Sequence, residues 1–338
     1  MKNVFYFKNI NSIGGVETFF WYLSRSFKNM VIYYKEADPK QVERIAKNVE
    51  IRKYKESIKC DQFFGCYGID IEVDAPVKKH LVHCDYKQVS FKPITYPGYE
   101  YIGVSQLACN SFKELTGKEC ELIYNPLVID KPKVDKYKDG KLHLISATRL
   151  TKEKGLKRMQ KLARMLEQAG IDYEWLVYTN RHREAIGNNV IYKDPKLDII
   201  EDIAKADFLV QLSDCEAFCY SIVEALSVGT PVICTDLPVF KELGVNEGNS
   251  IICDLMMNNV DINRVKQPFN FEYEVPISNW DRYLDNKSDY NPKELTKVKV
   301  LKTYFDVVTL QRHRRGELIE ITKERASYLE AKGICVIF

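Results

Sequence analysis

Residues 207–236 read DFLVQLSDCEAFCYSIVEALSVGTPVICTD. DFLVQL is a short apolar run of strand length, SDCEAF a polar loop, SIVEALSVG a helix starting near Tyr220 or Ser221, and PVICTD a second strand. This strand–loop–helix–strand order is the repeat of a parallel α/β sheet. Two acids stand eight positions apart in it, Glu216 in the loop and Glu224 in the first turns of the helix. The loop lies at the carboxyl end of the sheet, where such folds bind ligands. A helix N-terminus offers free N–H groups to an anion. A carboxylate can accept two hydroxyl protons, which suits a vicinal diol. The pair could thus grip two sugars with phosphates between them. The plain alternative is a solvated loop acid and a first-turn partner of the helix dipole.

The same alternation extends both ways. NVFYF, MVIYY, VEIRKY, DQFFGCYG, KHLVHC and YEYIGVS read as strands. VETFFWYLSRSF and SQLACNSFKELTG read as helices, the second stopped by Gly117. Residues 129–141, IDKPKVDKYKDGK, lack periodicity and read as a linker. Then KLHLISA, YEWLVYT and NVIYK read as strands, KEKGLKRMQKLARMLEQAG and LDIIEDIAKA as helices. The expected architecture is α/β: two Rossmann-like doubly wound units, 1–128 and 142–290, facing across a cleft. A small α+β extension follows at 298–338. In it FDVVTL, ELIEI and ICVIF read as strands and Thr322 caps a helix.

A chain of 338 residues exceeds one ordinary core of roughly 150 residues. Its net charge of +3, with scattered basic residues, gives no footprint for nucleic acid. The N-terminus lacks the apolar core of a signal peptide, and no apolar run would span a bilayer. The ten cysteines form no CxxC pair and no zinc-spaced set. They read as reduced thiols of a cytoplasmic protein.

The stretch Glu216-AFCYSIV-Glu224 followed by ALSVGTPVIC resembles the signature of retaining GT-B glycosyltransferases, family 4 in particular. Three other stretches carry the resemblance. In ISATRLTKEKGLKRM (145–159), Arg149 and Lys154-Gly155 fall on the family's diphosphate-binding pattern; two cations at a strand mouth suit that charge. In SIGGVETFFWYL (12–23), Gly14 and Gly15 match the loop that lets the backbone approach donor and acceptor. In HLVHCDY (80–86), His83 matches a histidine near the transferred sugar, and His80 fits less well.

The resemblance implies a metal-independent transferase moving a hexose from a nucleotide-diphosphate sugar, UDP-sugar by family frequency, with no cofactor. The acceptor would be a glycan, a lipid-linked sugar or a protein. Glu216 and His83 would serve the reacting sugar and Glu224 the ribose diol. Gly14, Gly15, Arg149 and Lys154 would bind the donor, with Phe218, Cys219, Tyr220 and Ser221 around the helix start. The family's Gly-rich loop is replaced here by YTNRHREAIGNN, which leaves Tyr178 and Asn180 as base or phosphate contacts. Ala217 stands where the family has Gly. Two other readings stay open: a non-catalytic binder of sugar nucleotides or glycans, and a sugar-nucleotide epimerase of the same architecture. The C-terminal extension resembles small β-rich modules appended to phage structural proteins; its basic turn could hold an acidic or large acceptor, or a second copy of the chain. Contact with the inner face of a membrane is a further expectation.

Overall fold

The structure is a computed structural model that describes residues 2–180 and 185–338. Its first sheet has seven parallel strands: β1 (Asn3–Phe7), β2 (Met30–Tyr34), β3 (Glu50–Lys53), β4 (Gln62–Cys66), β5 (Val77–Val82), β6 (Glu100–Gly103) and β7 (Glu121–Leu122). Their spatial order is β7-β6-β5-β4-β1-β2-β3. β1 is buried at all five residues, as a central strand covered on both faces requires. Its Phe5 sits opposite Ile32 and Phe64 and stacks on Phe64 at 4.6 Å.

Helix α1 (Gly15–Ser26) buries Val16, Phe19, Phe20 and Leu23, spaced i, i+3, i+4, i+7. Helix α2 (Pro39–Ala46) was not anticipated from the sequence, although Asp38 caps Lys40 N–H and Pro39 occupies the first turn. Helix α3 (Gln106–Thr116) starts on the Ser105 hydroxyl and ends at Gly117, φ 68°.

The second sheet is also parallel: β8 (Leu142–Ala147), β9 (Tyr173–Tyr178), β10 (Val190–Lys193), β11 (Phe208–Gln211), β12 (Val232–Thr235) and β13 (Ser250–Cys253), in the order β10-β9-β8-β11-β12-β13. Helices α4 (Leu156–Gln168), α5 (Ile200–Lys205), α6 (Tyr220–Ser227) and α7 (Pro238–Glu242) accompany it. α4 begins four residues later than the expected start at Lys152. Gly155 sits at φ 82°, outside the helical region, so residues 152–155 form a turn. The linker segment is irregular, tied by Lys136 to Ala206 O.

The expected second unit runs to residue 290, yet residues 278–285 lie against the first sheet. In that region the stretch ISNWDRYLDN (277–286) contains a short 3₁₀ turn, Asn279–Arg282. Its Trp280 is buried against Phe5, Phe19 and Phe64.

The C-terminal sheet is antiparallel: β14 (Leu295–Val300) lies between β17 (Leu318–Thr322) and β18 (Cys335–Ile337). It starts three residues before the expected 298. The FDVVTL run is not one strand. It supplies the first arm and the turn of a hairpin, β15 (Tyr304–Asp306) and β16 (Gln311–His313). Helix α8 (Lys323–Ala331) is capped by Thr322 Oγ1, as its sequence suggests.

Candidate active site

Strand order reverses between β1 and β4 in the first sheet and between β8 and β11 in the second. Ligands of such sheets bind outside the carboxyl ends at these points. The two sets of loops face each other across a cleft of about 1210 Å³.

On the first side, Gly14 and Gly15 line the cleft. A Cβ on Gly14 would lie 2.2 Å from Glu17 Oε2, whereas one on Gly15 would meet nothing, so tight space exists at Gly14 alone. Glu17 is buried and accepts hydrogen bonds from Asn11 N at 2.8 Å and Nδ2 at 3.1 Å; burial raises its pKa. His83 follows β5, packed edge-on to Phe19 at 5.0 Å. Its Nε2 is enclosed and has no hydrogen-bond partner among the described residues. Burial, with His80 adding to it, pushes the His83 pKa down to about 3, so the ring is neutral at physiological pH. His80 is itself buried, its Nε2 2.8 Å from Tyr67 O, where it supports the backbone.

On the second side, Gly155 lets the loop after β8 press on the loop after β11: a Cβ there would lie 1.9 Å from Leu212 O. This contact brings Lys154 to Glu216, Nζ to Oε1 at 2.7 Å. The same oxygen accepts from Ser213 Oγ at 2.7 Å and Gln211 Nε2 at 3.0 Å. Oε2 of Glu216 accepts no hydrogen bond among the described residues. Burial opposes the Lys154 charge, but Glu216 outweighs it and holds the pKa above its ordinary value. Arg149 also lines the cleft, exposed, with Glu153 Oε1 3.9 Å from its Nη2.

Between Glu216 and α6 the chain buries Phe218 and then turns through Cys219 at φ 91°. A side-chain-bearing residue in this left-handed region costs about 1–2 kcal/mol. Cys219, Tyr220 and Ser221, at the start of α6, line the cleft, and the first N–H groups of a helix have no partner within the helix itself. Ser221 Oγ lies 3.3 Å from Cys219 Sγ. Tyr220 is turned into the junction between the units, its hydroxyl donating to Pro126 O at 3.2 Å.

Glu224 lies on the next turn and lines the cleft. Its Oε1 accepts from the Tyr22 hydroxyl of α1 at 2.8 Å, a bond between the two units, and Tyr22 stacks on Tyr220 at 5.3 Å. Burial raises the Glu224 pKa to about 7; the Tyr22 bond and Arg44 work against this, and Asp198 with it. Tyr178 lines the cleft, but its hydroxyl is spent on Asp202 Oδ2 at 2.9 Å. Asn180 is exposed at the rim, and the part of its loop at 181–184 lies outside the described residues.

The cleft lining thus includes the residues named from sequence, except His80 and Gly155. It also holds residues the sequence did not single out: Glu17, Tyr22 and Arg44, the last stacked over Trp21 at 4.1 Å. Among the described residues no group of three His, Cys, Asp or Glu could hold a metal. All ten cysteines are free.

The strand–loop–helix that carries both glutamates falls within a segment of known type. Residues 129–258 match the family model of glycosyl transferases group 1. No curated protein matches the sequence. Solved structures do match the fold. Anabaena HepE, in complex with UDP and glucose, is 15% identical, with 78% of this chain and 89% of that one covered and a TM-score of 0.57. The lipopolysaccharide outer core galactosyltransferase WaaB is 16% identical over 78% and 90%, TM-score 0.55. A glycosyltransferase from Rickettsia africae is 12% identical over 76% and 85%, TM-score 0.54. At these identities the likeness is one of fold, and that fold is GT-B.

Proposed function

We propose that the protein is a retaining glycosyltransferase of the family 4 kind, cytoplasmic and metal-independent. It moves a hexose from a UDP-sugar to a glycan, lipid-linked or protein acceptor. Residues 1–128, with the 278–285 segment packed on them, form the acceptor side and residues 142–277 the donor side. The observation that carries this reading is the Lys154–Glu216 pair set before the α6 N-terminus, inside the segment that matches group 1 glycosyl transferases. UDP as the nucleotude part is suggested by HepE, whose structures hold UDP and UDP-glucose.

In this reading the donor diphosphate lies against Arg149, Lys154 and the α6 N–H groups, which take up the charge of the departing nucleotide. Glu224 exchanges its Tyr22 bond for the ribose diol. The open Oε2 of Glu216 receives donor-sugar hydroxyls. Neutral His83 lines the cleft on the acceptor side, near the transferred sugar. As the bond from sugar carbon to phosphate breaks, the freed phosphate oxygen accepts the acceptor's proton. The acceptor oxygen then bonds on the same face, so configuration is retained without a covalent enzyme intermediate.

The test is incubation with a panel of sugar nucleotides under chelator, followed by product analysis. Slow release of free sugar and UDP, lost in Glu216→Gln while binding persists, is the expected outcome. A changed but intact sugar nucleotide would mark an epimerase, and binding without any turnover a non-catalytic receptor. A strict need for a divalent cation would contradict the metal-free route.

A further inference from the structure

The C-terminal hairpin presents apolar side chains to solvent. Phe305, Val307, Val308 and Leu310 are 58%, 71%, 71% and 73% exposed within six consecutive residues. Scattered apolar residues on a surface need no explanation, but a cluster on one projection does.

The projection is built rather than loose. Asp306, only 1% exposed, accepts from Val308 N at 2.9 Å and Thr309 N at 3.4 Å, which closes the turn. Arg325 of α8 holds the same carboxylate at 3.0 Å. The buried acid thus fixes the turn to the body of the protein while Val307, Val308 and Leu310 point away from it.

The base of the hairpin is basic. Lys299, Lys302, Arg312, Arg314 and Arg315 are all exposed, and none forms an ion pair among the described residues. The only acid from 299 to 316 is Asp306, already neutralised by Arg325.

We infer that this hairpin is a membrane-docking element: its apolar tip enters the surface of a bilayer carrying anionic lipids, and the basic residues behind it meet the headgroups. Apolar residues that reach the acyl boundary, backed by lysine and arginine at headgroup level, are the combination that holds proteins at such surfaces. A second copy of the chain fits less well. A four-residue tip buries far less than the roughly 800 Å² per partner of a stable interface, and self-association would set the basic residues behind it, tempered by Glu317 beside Arg314 alone, against their copies.

The experiment needs no substrate. The full-length chain is sedimented with vesicles of phosphatidylcholine, with and without phosphatidylglycerol, at low and high salt. Binding to the mixed vesicles is expected, weakened by salt, and at least about tenfold weaker for Val307→Glu/Val308→Glu. Both side chains are exposed, so the melting temperature of that variant should be unchanged. Val308→Trp supplies an independent reading: its emission should shift to the blue, and it should escape an aqueous quencher, only with anionic vesicles. The inference is overturned if the wild-type chain stays in solution, if the glutamates leave binding intact, or if the tryptophan remains quenchable. Discovery by sedimentation equilibrium of a dimer that Val308→Glu dissociates, with no vesicle binding, would assign the tip to a second copy.

Discussion

At the residue scale, Glu224 is the most informative group in the cleft. Burial lifts its pKa from 4.5 to about 7. A ribose diol needs the ionised form, which accepts two hydroxyl protons. Affinity for UDP-glucose, whose phosphates stay ionised, should therefore fall about tenfold as pH drops from 8 to 6. Glu224→Gln should flatten that dependence and bind at least about tenfold more weakly at pH 8. Calorimetric titration at both pH values checks this; a flat wild-type profile would remove Glu224 from the ribose. The same shift has a sign for stability. A carboxyl whose folded pKa lies above its unfolded one is best tolerated below 4.5, and the protein loses that stability as pH rises through 7. Without ligand, Glu224→Gln should melt higher than wild type at pH 8, with the difference gone at pH 4.5.

At the scale of elements, two loops meet because one residue has no side chain. Gly155 combines φ 82° with a Cβ position 1.9 Å from Leu212 O. Gly155→Ala should cost about 2–4 kcal/mol, visible as a lower unfolding midpoint, because backbone rather than a flexible side chain must yield. The same approach delivers Lys154 to Glu216. Lys154→Met alone leaves a half-buried carboxylate without its cation, whereas Lys154→Met with Glu216→Gln removes both charges. The double variant should be more stable than the sum of the singles by about 1–3 kcal/mol, and a cycle that adds would mean the two groups do not interact. This half of the cleft was legible in the sequence: its chemistry lies on consecutive strand–loop–helix stretches, where Glu216, Arg149 and Lys154 stand out as charge beside apolar runs. Tyr22 and Arg44 were not. They come from α1 and α2, and Tyr22 meets Glu224 from 202 positions away. Helix α2 was missed although Asp38-Pro39 is a start signal, since PKQVERIA is short and mostly polar. The split of FDVVTL had no apolar cue either: the turn is made by Asp306 accepting from backbone, inside a run whose composition favours a strand.

At the scale of the whole molecule, the C-terminal extension is part of the structure of the first unit. β3 is an edge strand of the first sheet, and such edges carry unpaired backbone groups that proteins must cover. Here α8 covers it. Ser327 Oγ donates to Ile51 O at 3.3 Å, and Lys53 N donates to Glu330 Oε2 at 3.4 Å. Glu330 is 3% exposed and also pairs with Lys55 at 2.8 Å, while Tyr290, just before the extension, donates to Ala46 O at 2.7 Å. A chain ending at residue 294 would keep Tyr290 but lose the α8 partners at once. It would bare the β3 edge and the outer face of α2, and leave Lys55 without its buried acid. Its melting temperature should fall by several degrees and its soluble yield should drop, even though the cleft residues are untouched. Glu330→Gln in the full chain is the milder test of the same contact: it removes the charge and one of the two acceptor oxygens that meet Lys53 N and Ile337 N, and should lower the melting temperature less than truncation does. A truncated chain that melts where the full chain does would show that β3 is protected in another way and that the extension is a free appendage.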